Sequence, residues 1–256
     1  MEDLFRIDGD VALVAGGAGG IGRALALALS RYGAKVVISD LNQQSAEEVA
    51  AQIKKETGNE TLAITANFTV ENSMNELVAS VVAKLGRLDI LVNAMGLNIK
   101  NEALDYPMED WRRLFGANVE GTMIACKYAG RQFKAQGGGG RIINMSSVRG
   151  VRGYGGGNSG YCATKGSVEM ITKALAIEWA GYNIRVNALA PSLIITPGTV
   201  HIQKDPARAE KYKAQIPLGR LGLPEDLMGA CVFLASKASS FVTGQTLFVD
   251  GGVTAS

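Results

Sequence analysis

The sequence predicts an α/β fold in which helices cover both faces of a parallel, doubly wound sheet of seven strands. Short, nearly continuous apolar runs, typical of strands buried on both faces, alternate with longer segments of helical periodicity. This alternation favours β-α units and parallel strands. The predicted strands are VALVA (11–15), KVVIS (35–39), TLAIT (61–65), DILVN (89–93), RIINMS (141–146), IRVNALA (184–190) and TLFV (246–249).

Composition favours one domain over residues 1–256 and excludes several function classes. The chain is 47% hydrophobic, and neither a repeat nor a linker divides it. A net charge of +2 without a dense Lys/Arg block argues against nucleic-acid binding. The chain lacks an apolar run long enough for a membrane span, and its polar start MEDLFRIDGD does not resemble a signal peptide.

Cysteine and histidine usage predicts neither a disulfide framework nor a metal site. Cys126, Cys162 and Cys231 are scattered and odd in number, which suits a reducing cytoplasm. His201 is the single histidine, so the sequence offers no histidine-based metal cluster and no Ser-His-Asp triad. We therefore expect a cytoplasmic protein without a metal.

A glycine-rich turn follows the first predicted strand and opens the first helix. Gly16, Gly20 and Gly22 are spaced G-x-x-x-G-x-G in the segment AGGAGGIGRALA. Glycine permits a tight turn and a close approach of the backbone to a pyrophosphate. The new helix presents its first N–H groups to that anion. The context predicts dinucleotide binding, with a plain turn as the alternative.

Asp40 ends the second predicted strand, where a carboxylate can bond both hydroxyls of an adenosine ribose. The same charge repels a 2′-phosphate, and neither Ser39 nor Leu41 supplies a compensating cation. The sequence therefore favours NAD over NADP. The alternative is that Asp40 only caps a turn.

Tyr161 and Lys165 lie one helical turn apart in GYCATKG, on a helix predicted to begin near Ser159. A phenol is too weak an acid to serve as a base at neutral pH, but a nearby ammonium lowers its pKa. A pair exposed on the surface is the alternative. Ser146 and Ser147 follow the fifth strand, at the sheet edge where α/β proteins bind ligands.

Together these segments resemble the classical short-chain dehydrogenase/reductase family over nearly the whole chain. The matching pieces are the glycine turn, Asp40, NAMG (93–96), NVEG (118–121), MSSV (145–148), YCATK (161–165), NALAPSLIIT (187–196) and the ending GLPEDLMGACVFLAS…FVTGQTLFVDGG. The resemblance implies a Rossmann-type NAD-binding domain and a homotetramer, or a homodimer. It implies that Tyr161 is the general acid/base and that Lys165 lowers the pKa of Tyr161 and bonds the nicotinamide ribose.

The resemblance implies further roles. Ser147 would hold the substrate oxygen, and Asn118 would tether a water in a proton relay. The remaining residues implied to bind the cofactor are Ile21, Leu41, Asn67, Phe68, Asn93, Ala94, Pro191, Ile194 and Thr196, beside the glycines, Asp40, Tyr161 and Lys165.

The substrate is the least determined feature. Residues 196–217 predict a helical lid, and Arg149 and Arg152 follow Ser147; these cations would suit an anionic substrate, with a solvated surface as the alternative. We count Arg152, Ser147 and Tyr161 as substrate residues. The resemblance favours oxidation of a secondary alcohol on a sugar acid or polyol. A 3-oxoacyl thioester reductase and a non-catalytic NAD-binding regulator are the alternatives.

Overall fold

A computed structural model describes residues 3–255 and contains one parallel seven-stranded sheet of order β3-β2-β1-β4-β5-β6-β7. Each predicted strand is present within one residue of its predicted ends. Met1, Glu2 and Ser256 of the predicted domain lie outside the described residues. The strands are β1 Val11–Ala15, β2 Lys35–Asp40, β3 Thr61–Thr65, β4 Ile90–Asn93, β5 Gly140–Met145, β6 Ile184–Pro191 and β7 Thr246–Val249.

Helices connect the strands on both faces of the sheet. The α-helices are α1 Gly20–Arg31, α2 Gln43–Thr57, α3 Glu71–Leu85, α4 Met108–Phe115, α5 Gly121–Gln136, α6 Ser159–Glu178, α7 Val200–Gln203, α8 Pro206–Lys213 and α9 Met228–Ala235. A π-helical turn, Gly116–Glu120, joins α4 to α5. Short 3-10 turns are Ala103–Asp105, Val148–Gly150, Ala180–Tyr182, Pro224–Leu227 and Lys237–Ser239.

The strands divide the core into two apolar clusters, one on each face of the sheet. In β1, Ala12 and Val14 belong to one cluster, whereas Val11 and Leu13 belong to the other. All four side chains are fully buried. This follows from the period of two in a strand, which sends successive side chains to opposite faces. A strand covered on both faces must be apolar throughout, as the sequence pattern indicated.

The strand order places a crevice at the middle of the sheet. β1 pairs with β2 on one side and with β4 on the other, so the two halves of the chain extend the sheet in opposite directions. The connections leaving β1 and β4 therefore diverge at their carboxyl ends. Open α/β sheets bind ligands at such a switch point.

Two further properties bear on function. Within residues 3–255, no helix is both long and apolar enough to cross a membrane. In the same range, His, Cys, Asp and Glu side chains form no group of three or more that could hold a metal ion. The three cysteines are free thiols, and Cys126 and Cys231 are buried.

Candidate active site

The turn between β1 and α1 has no room for side chains at two of its glycines. Gly16 has φ +75°, a conformation that L-residues rarely adopt, and a Cβ there would lie 2.9 Å from Met95 Cα. A Cβ on Gly22 would collide with the carbonyl oxygen of Gly16. α1 begins at Gly20, and its N-cap Gly19 supplies no side-chain hydrogen bond. The first amides of α1 are therefore left for an anion, which fits a dinucleotide pyrophosphate.

Asp40 lies beside this turn at the end of β2. Its Oδ2 accepts a hydrogen bond from the Ala18 amide at 3.2 Å, and its Oδ1 accepts one from the Asn42 amide at 3.4 Å. The carboxylate thus braces the turn, as the capping alternative expected. It also remains half-buried beside the glycines, where a ribose would follow the pyrophosphate.

Three of the residues predicted to bind the cofactor differ in the groups that they offer to a ligand. Leu41 is 67% exposed and free to contact a ligand. Phe68 is buried in the apolar core, so its side chain is not available to a ligand. The side-chain oxygen of Asn67 already accepts hydrogen bonds from the amide of Thr69 at 3.0 Å and from its hydroxyl at 2.7 Å. An adenine amine would have to share that oxygen.

The side chain of Asn93 lies inside the sheet rather than at the groove, and the predicted contact of Asn93 with the cofactor stays a prediction. Asn93 is 1% exposed, and its Nδ2 donates to Asn144 Oδ1 at 2.8 Å. Asn144 in turn donates to Thr172 Oγ1 at 3.0 Å. Within the described residues Asn93 Oδ1 has no partner. Asn93 therefore ties β4 to β5, and the neighbouring Ala94 contacts the cavity.

A cavity of about 340 Å³ opens at the carboxyl ends of β4, β5 and β6. Residues predicted to bind cofactor or substrate meet in it from five separate segments. Those that line it are Ile21, Ala94, Ser147, Tyr161, Lys165, Pro191, Ile194 and Thr196. Gly16 adjoins the same cavity through its close approach to Met95, another lining residue. The crevice is therefore continuous from the glycine turn to Tyr161.

Ser147, Tyr161 and Lys165 form what we call the catalytic wall, together with Met145 at the end of β5. Lys165 is 4% exposed, and its Nζ donates to the Met145 carbonyl at 2.7 Å. The same Nζ lies 5.7 Å from the centre of the Tyr161 ring. Ser147 makes a side-chain hydrogen bond with Tyr161. A substrate oxygen that contacts Tyr161 therefore also lies within reach of Ser147.

Burial sets the ionisation of the wall. Burial raises the pKa of Tyr161, and the Arg149 charge and the Ser147 hydrogen bond oppose that rise. The sequence predicted that Lys165 lowers the pKa of Tyr161. In the structure the net direction for Tyr161 is upward, and the positive charge that opposes the rise comes from Arg149. Burial also lowers the pKa of Lys165 to about 8, against the opposing charge of Glu169. The wall thus holds a protonated phenol beside an ammonium that can lose its proton near neutral pH.

Asn118 lies in the π-helical turn between α4 and α5 and is 1% exposed. Its side chain accepts from the Leu97 amide at 2.7 Å and donates to the Leu97 carbonyl at 2.9 Å. It also donates to Thr164 Oγ1 at 3.0 Å. Asn118 therefore clamps the loop after β4 onto α6, next to Lys165. Its role in tethering a water stays a prediction.

The two arginines after Ser147 separate. Arg149 lines the cavity, and its guanidinium carbon lies 5.8 Å from the centre of the Tyr161 ring. Arg152 does not line this cavity, and its guanidinium bonds the Val253 carbonyl. Its predicted contact with the substrate stays a prediction. Sequence reasoning also missed Tyr154, which lines the cavity and stacks on Arg149. A lone aromatic residue within a glycine-rich loop was the signal available.

The lid segment, residues 196–217, contains the helices α7 and α8, as predicted. Its cavity-lining side chains are neutral: Thr196, Thr199, Tyr212, Gln215 and Ile216. The lid segment also carries four cations, and none of them lines the cavity: Lys204, Arg208, Lys211 and Lys213. Any positive charge offered to a substrate therefore comes from the catalytic wall and Arg149.

Comparison with known proteins places these features in context. A family model described as enoyl-(acyl carrier protein) reductase matches residues 16–254. The chain is 38% identical to 2-dehydro-3-deoxy-D-gluconate 5-dehydrogenase of Escherichia coli, covering 97% of this chain and 96% of that protein. It is 37% identical to the NAD-dependent glycerol dehydrogenase of Listeria innocua, covering 98% and 96%.

The fold also matches solved structures closely. A gluconate 5-dehydrogenase from Burkholderia cenocepacia, crystallised with NADP and tartrate, superposes with a TM-score of 0.94. The two chains are 36% identical, and the match covers 99% of this chain and 98% of the other.

Proposed function

Since the chain belongs to the short-chain dehydrogenase/reductase family, we propose that it transfers hydride between NAD and a secondary alcohol or ketone. The proposed substrate is small and polyhydroxylated: a sugar acid, a polyol or a related compound. The observation that carries the proposal is the convergence of Ser147, Tyr161 and Lys165 on one cavity at the switch point of the sheet. A regulator that only bound NAD would not need these three side chains together.

The side chains of the wall have distinct tasks in this reaction. Ser147 and Tyr161 hold the reacting oxygen through hydrogen bonds, which fixes the carbon that reacts. Tyr161 donates a proton to that oxygen in reduction and removes it in oxidation. Lys165 lies next to Tyr161 and carries a proton that it can release, because burial lowers the pKa of Lys165 to about 8. The nicotinamide cofactor, when bound, supplies or accepts the hydride.

The cofactor would be held by groups that the structure places along the crevice. The amides that open α1 and the bare glycine turn would hold the pyrophosphate, and Asp40 would bond the adenosine ribose. Leu41 and the backbone of Phe68 would flank the adenine. Ile21, Ala94, Pro191, Ile194 and Thr196 would surround the nicotinamide end of the cavity.

The preference for NAD rests on the charge of Asp40. One relative is described as NAD-dependent, whereas the structural neighbour from Burkholderia cenocepacia is described with NADP, so both cofactors occur among similar proteins. A 2′-phosphate beside Asp40 would face a like charge. Asp40→Asn removes that charge with little change of shape. We expect the ratio of kcat/KM with NAD to kcat/KM with NADP to fall about tenfold or more.

The substrate class is supported by the hydroxyl groups and the cation that line the cavity and by the relatives. Relatives described as sugar-acid and polyol dehydrogenases match this chain over nearly its whole length. The gluconate 5-dehydrogenase neighbour is described with tartrate, a hydroxylated diacid. Reduction of a 3-oxoacyl thioester is the competing activity. The matching family model is described as an enoyl-(acyl carrier protein) reductase, so thioesters occur among the substrates of similar proteins, although enoyl reduction is a different reaction.

The test is a survey of purified protein with NAD or NADP and matched substrates, measured as the formation or loss of reduced cofactor. The panel contains aldonates, alditols, simple secondary alcohols and, in the reverse direction, acetoacetyl-CoA. Turnover of aldonates or alditols with NAD supports the proposal. Faster turnover of acetoacetyl-CoA or of hydrophobic alcohols than of every sugar acid and polyol would replace it.

We further propose that the protein is a homotetramer. Met170 and Ile177 lie on α6 and are 61% and 80% exposed, and Met123 on the neighbouring α5 is 38% exposed. Exposed apolar side chains on these two helices support burial against another copy of the chain. Light scattering after gel filtration gives the mass directly. A monomer at micromolar concentration would contradict this assembly.

A further inference from the structure

We propose that Arg149 binds the carboxylate of the substrate, so that the protein selects small hydroxy acids over neutral polyols. This inference rests on the proposed function and narrows its substrate class. It begins with the charges around the cavity. Among residues 3–255, Arg149 and Lys165 are the charged side chains that line it, and neither an Asp nor a Glu does so. Lys165 already donates to the Met145 carbonyl at 2.7 Å. Arg149 is therefore the cation available to a substrate.

The guanidinium of Arg149 has no acidic partner. The ion pairs found within residues 3–255 do not include it. Its Nη1 donates instead to the neutral Oδ1 of Asn158 at 2.6 Å. Asn158 is 3% exposed and is itself fixed, since its Nδ2 donates to the carbonyls of Gly155 at 2.6 Å and Gly156 at 3.1 Å. Arg149 is thus positioned by a rigid neutral group, and its charge remains uncompensated.

The guanidinium of Arg149 also lies over an aromatic ring of the cavity. The guanidinium carbon lies 4.5 Å from the centre of the Tyr154 ring, and Tyr154 also lines the cavity. A guanidinium held against an aromatic face presents its N–H groups along its edges. Asn158 occupies one Nη1 position. The remaining edge suits the two oxygens of a carboxylate, which accept parallel hydrogen bonds from such a fork.

The distance to the chemistry limits the size of the acid. The guanidinium carbon is 5.8 Å from the centre of the Tyr161 ring, across a cavity of about 340 Å³. A hydroxyl that bonds Tyr161 and a carboxylate that bonds Arg149 must therefore belong to one short carbon chain. The structure thus favours a polyhydroxylated monoacid whose reacting carbon lies a few bonds from its carboxylate.

Matched substrates and matched variants test the proposal. The substrates are D-gluconate with D-glucitol, and D-threonate with D-threitol, in which a carboxylate replaces a neutral alcohol. Arg149→Gln removes the charge, and Arg149→Lys keeps it without the planar fork. Arg113→Gln is the control, because Arg113 is an exposed arginine of α4 that does not line the cavity.

The measured quantity is the ratio of kcat/KM for each acid to kcat/KM for its alcohol. We expect wild type to favour the acids and Arg149→Gln to lower that ratio about 50-fold, mainly through KM. Arg149→Lys should recover part of it, and Arg113→Gln should leave it unchanged. Arg149 also opposes the raised pKa of Tyr161, so a loss shared by both substrate types reports that second effect and cancels in the ratio.

Two results would overturn the inference: a wild type that prefers the alcohols, or a ratio that Arg149→Gln leaves unchanged. Either result leaves the proposed function intact. If wild type oxidises neither type with either cofactor, the proposed function fails instead. Calorimetric titration of D-gluconate into protein saturated with NADH then decides the inference. Binding that Arg149→Gln abolishes supports it, whereas absent or unchanged binding rejects it.

Discussion

The catalytic wall and the lid segment face each other across the same cavity but are built differently. In the wall, Lys165 and Ser147 are 4% and 7% exposed. Lys165 donates a hydrogen bond to the Met145 carbonyl of β5, and Ser147 interacts with Tyr161. In the lid, α7 and α8 bury only Ile202 and Ala209. Local stability follows buried contacts, so the wall is the more rigid side. The proposed chemistry, which needs fixed distances, would then lie on the wall, and the lid segment would be the side that adapts to the shape of a substrate.

The largest expected effect comes from removing the acid/base of the wall. Tyr161→Phe deletes one hydroxyl and keeps the ring, so the free energy of unfolding should change by less than about 1.5 kcal/mol. The rate of cofactor reduction should fall about 1,000-fold. Steady-state kinetics beside a urea melt measure both. A variant within tenfold of wild type would move the proton transfer to another group.

A second effect concerns the buried charge of the wall. Lys165 has a folded pKa of about 8, below its ordinary value of 10.5, because burial disfavours the ammonium. Between these two pH values the unfolded chain holds the proton that the folded chain has lost, so wild-type stability rises with pH. Relative to Lys165→Met, wild type should gain about 3 kcal/mol across this window. Urea titrations of both proteins measure it; a constant difference would mean that the ammonium is not desolvated.

Asn118 tests whether the wall depends on the loop after β4. Asn118→Ala removes bonds to both backbone groups of Leu97 and to Thr164, and should lower the free energy of unfolding by about 2 kcal/mol. Asn98→Ala, an exposed asparagine on the same loop, is the stability control and should change it by less than about 0.5 kcal/mol. Equal melting curves for the two variants would show that the hydrogen bonds of Asn118 do not contribute to the free energy of unfolding.

The smallest effect is expected on the lid. Gln215 contacts the Tyr154 hydroxyl, which links the lid to the loop that carries Arg149. Gln215→Ala should raise KM by less than about tenfold and leave kcat unchanged, since an exposed hydrogen bond contributes little. Lys211→Ala, on the same segment but away from the cavity, should change neither. A large fall of kcat in Gln215→Ala would mean that the lid segment takes part in the chemical step as well as in substrate binding.

The sequence anticipated the features that depend on periodicity and on chain order. Apolar runs located all seven strands, and i,i+4 spacing placed Tyr161 and Lys165 on one helix at the cavity. It did not anticipate features that depend on direction. Asn93 ends a strand, and the alternation of faces turns its amide inward toward Asn144.

Loops and burial depth were equally hidden. Arg149 and Arg152 share one loop without a repeating geometry, so no spacing rule tells which of them reaches the cavity. The pKa of Tyr161 depends on how deeply the fold buries the phenol, and the pattern Y-x-x-x-K contains no measure of burial. These quantities arise from tertiary packing, which the structure supplies.

The most direct test of the division between wall and lid is Ser147→Ala, measured for NAD binding and for substrate oxidation in the same preparation. Ser147 contacts Tyr161 and lines the cavity. No role in holding the pyrophosphate or the adenosine is proposed for this side chain. We expect NAD to bind as it does to wild type, with kcat reduced about 100-fold or more. Wild-type kcat in this variant would contradict the assignment of the chemistry to the catalytic wall.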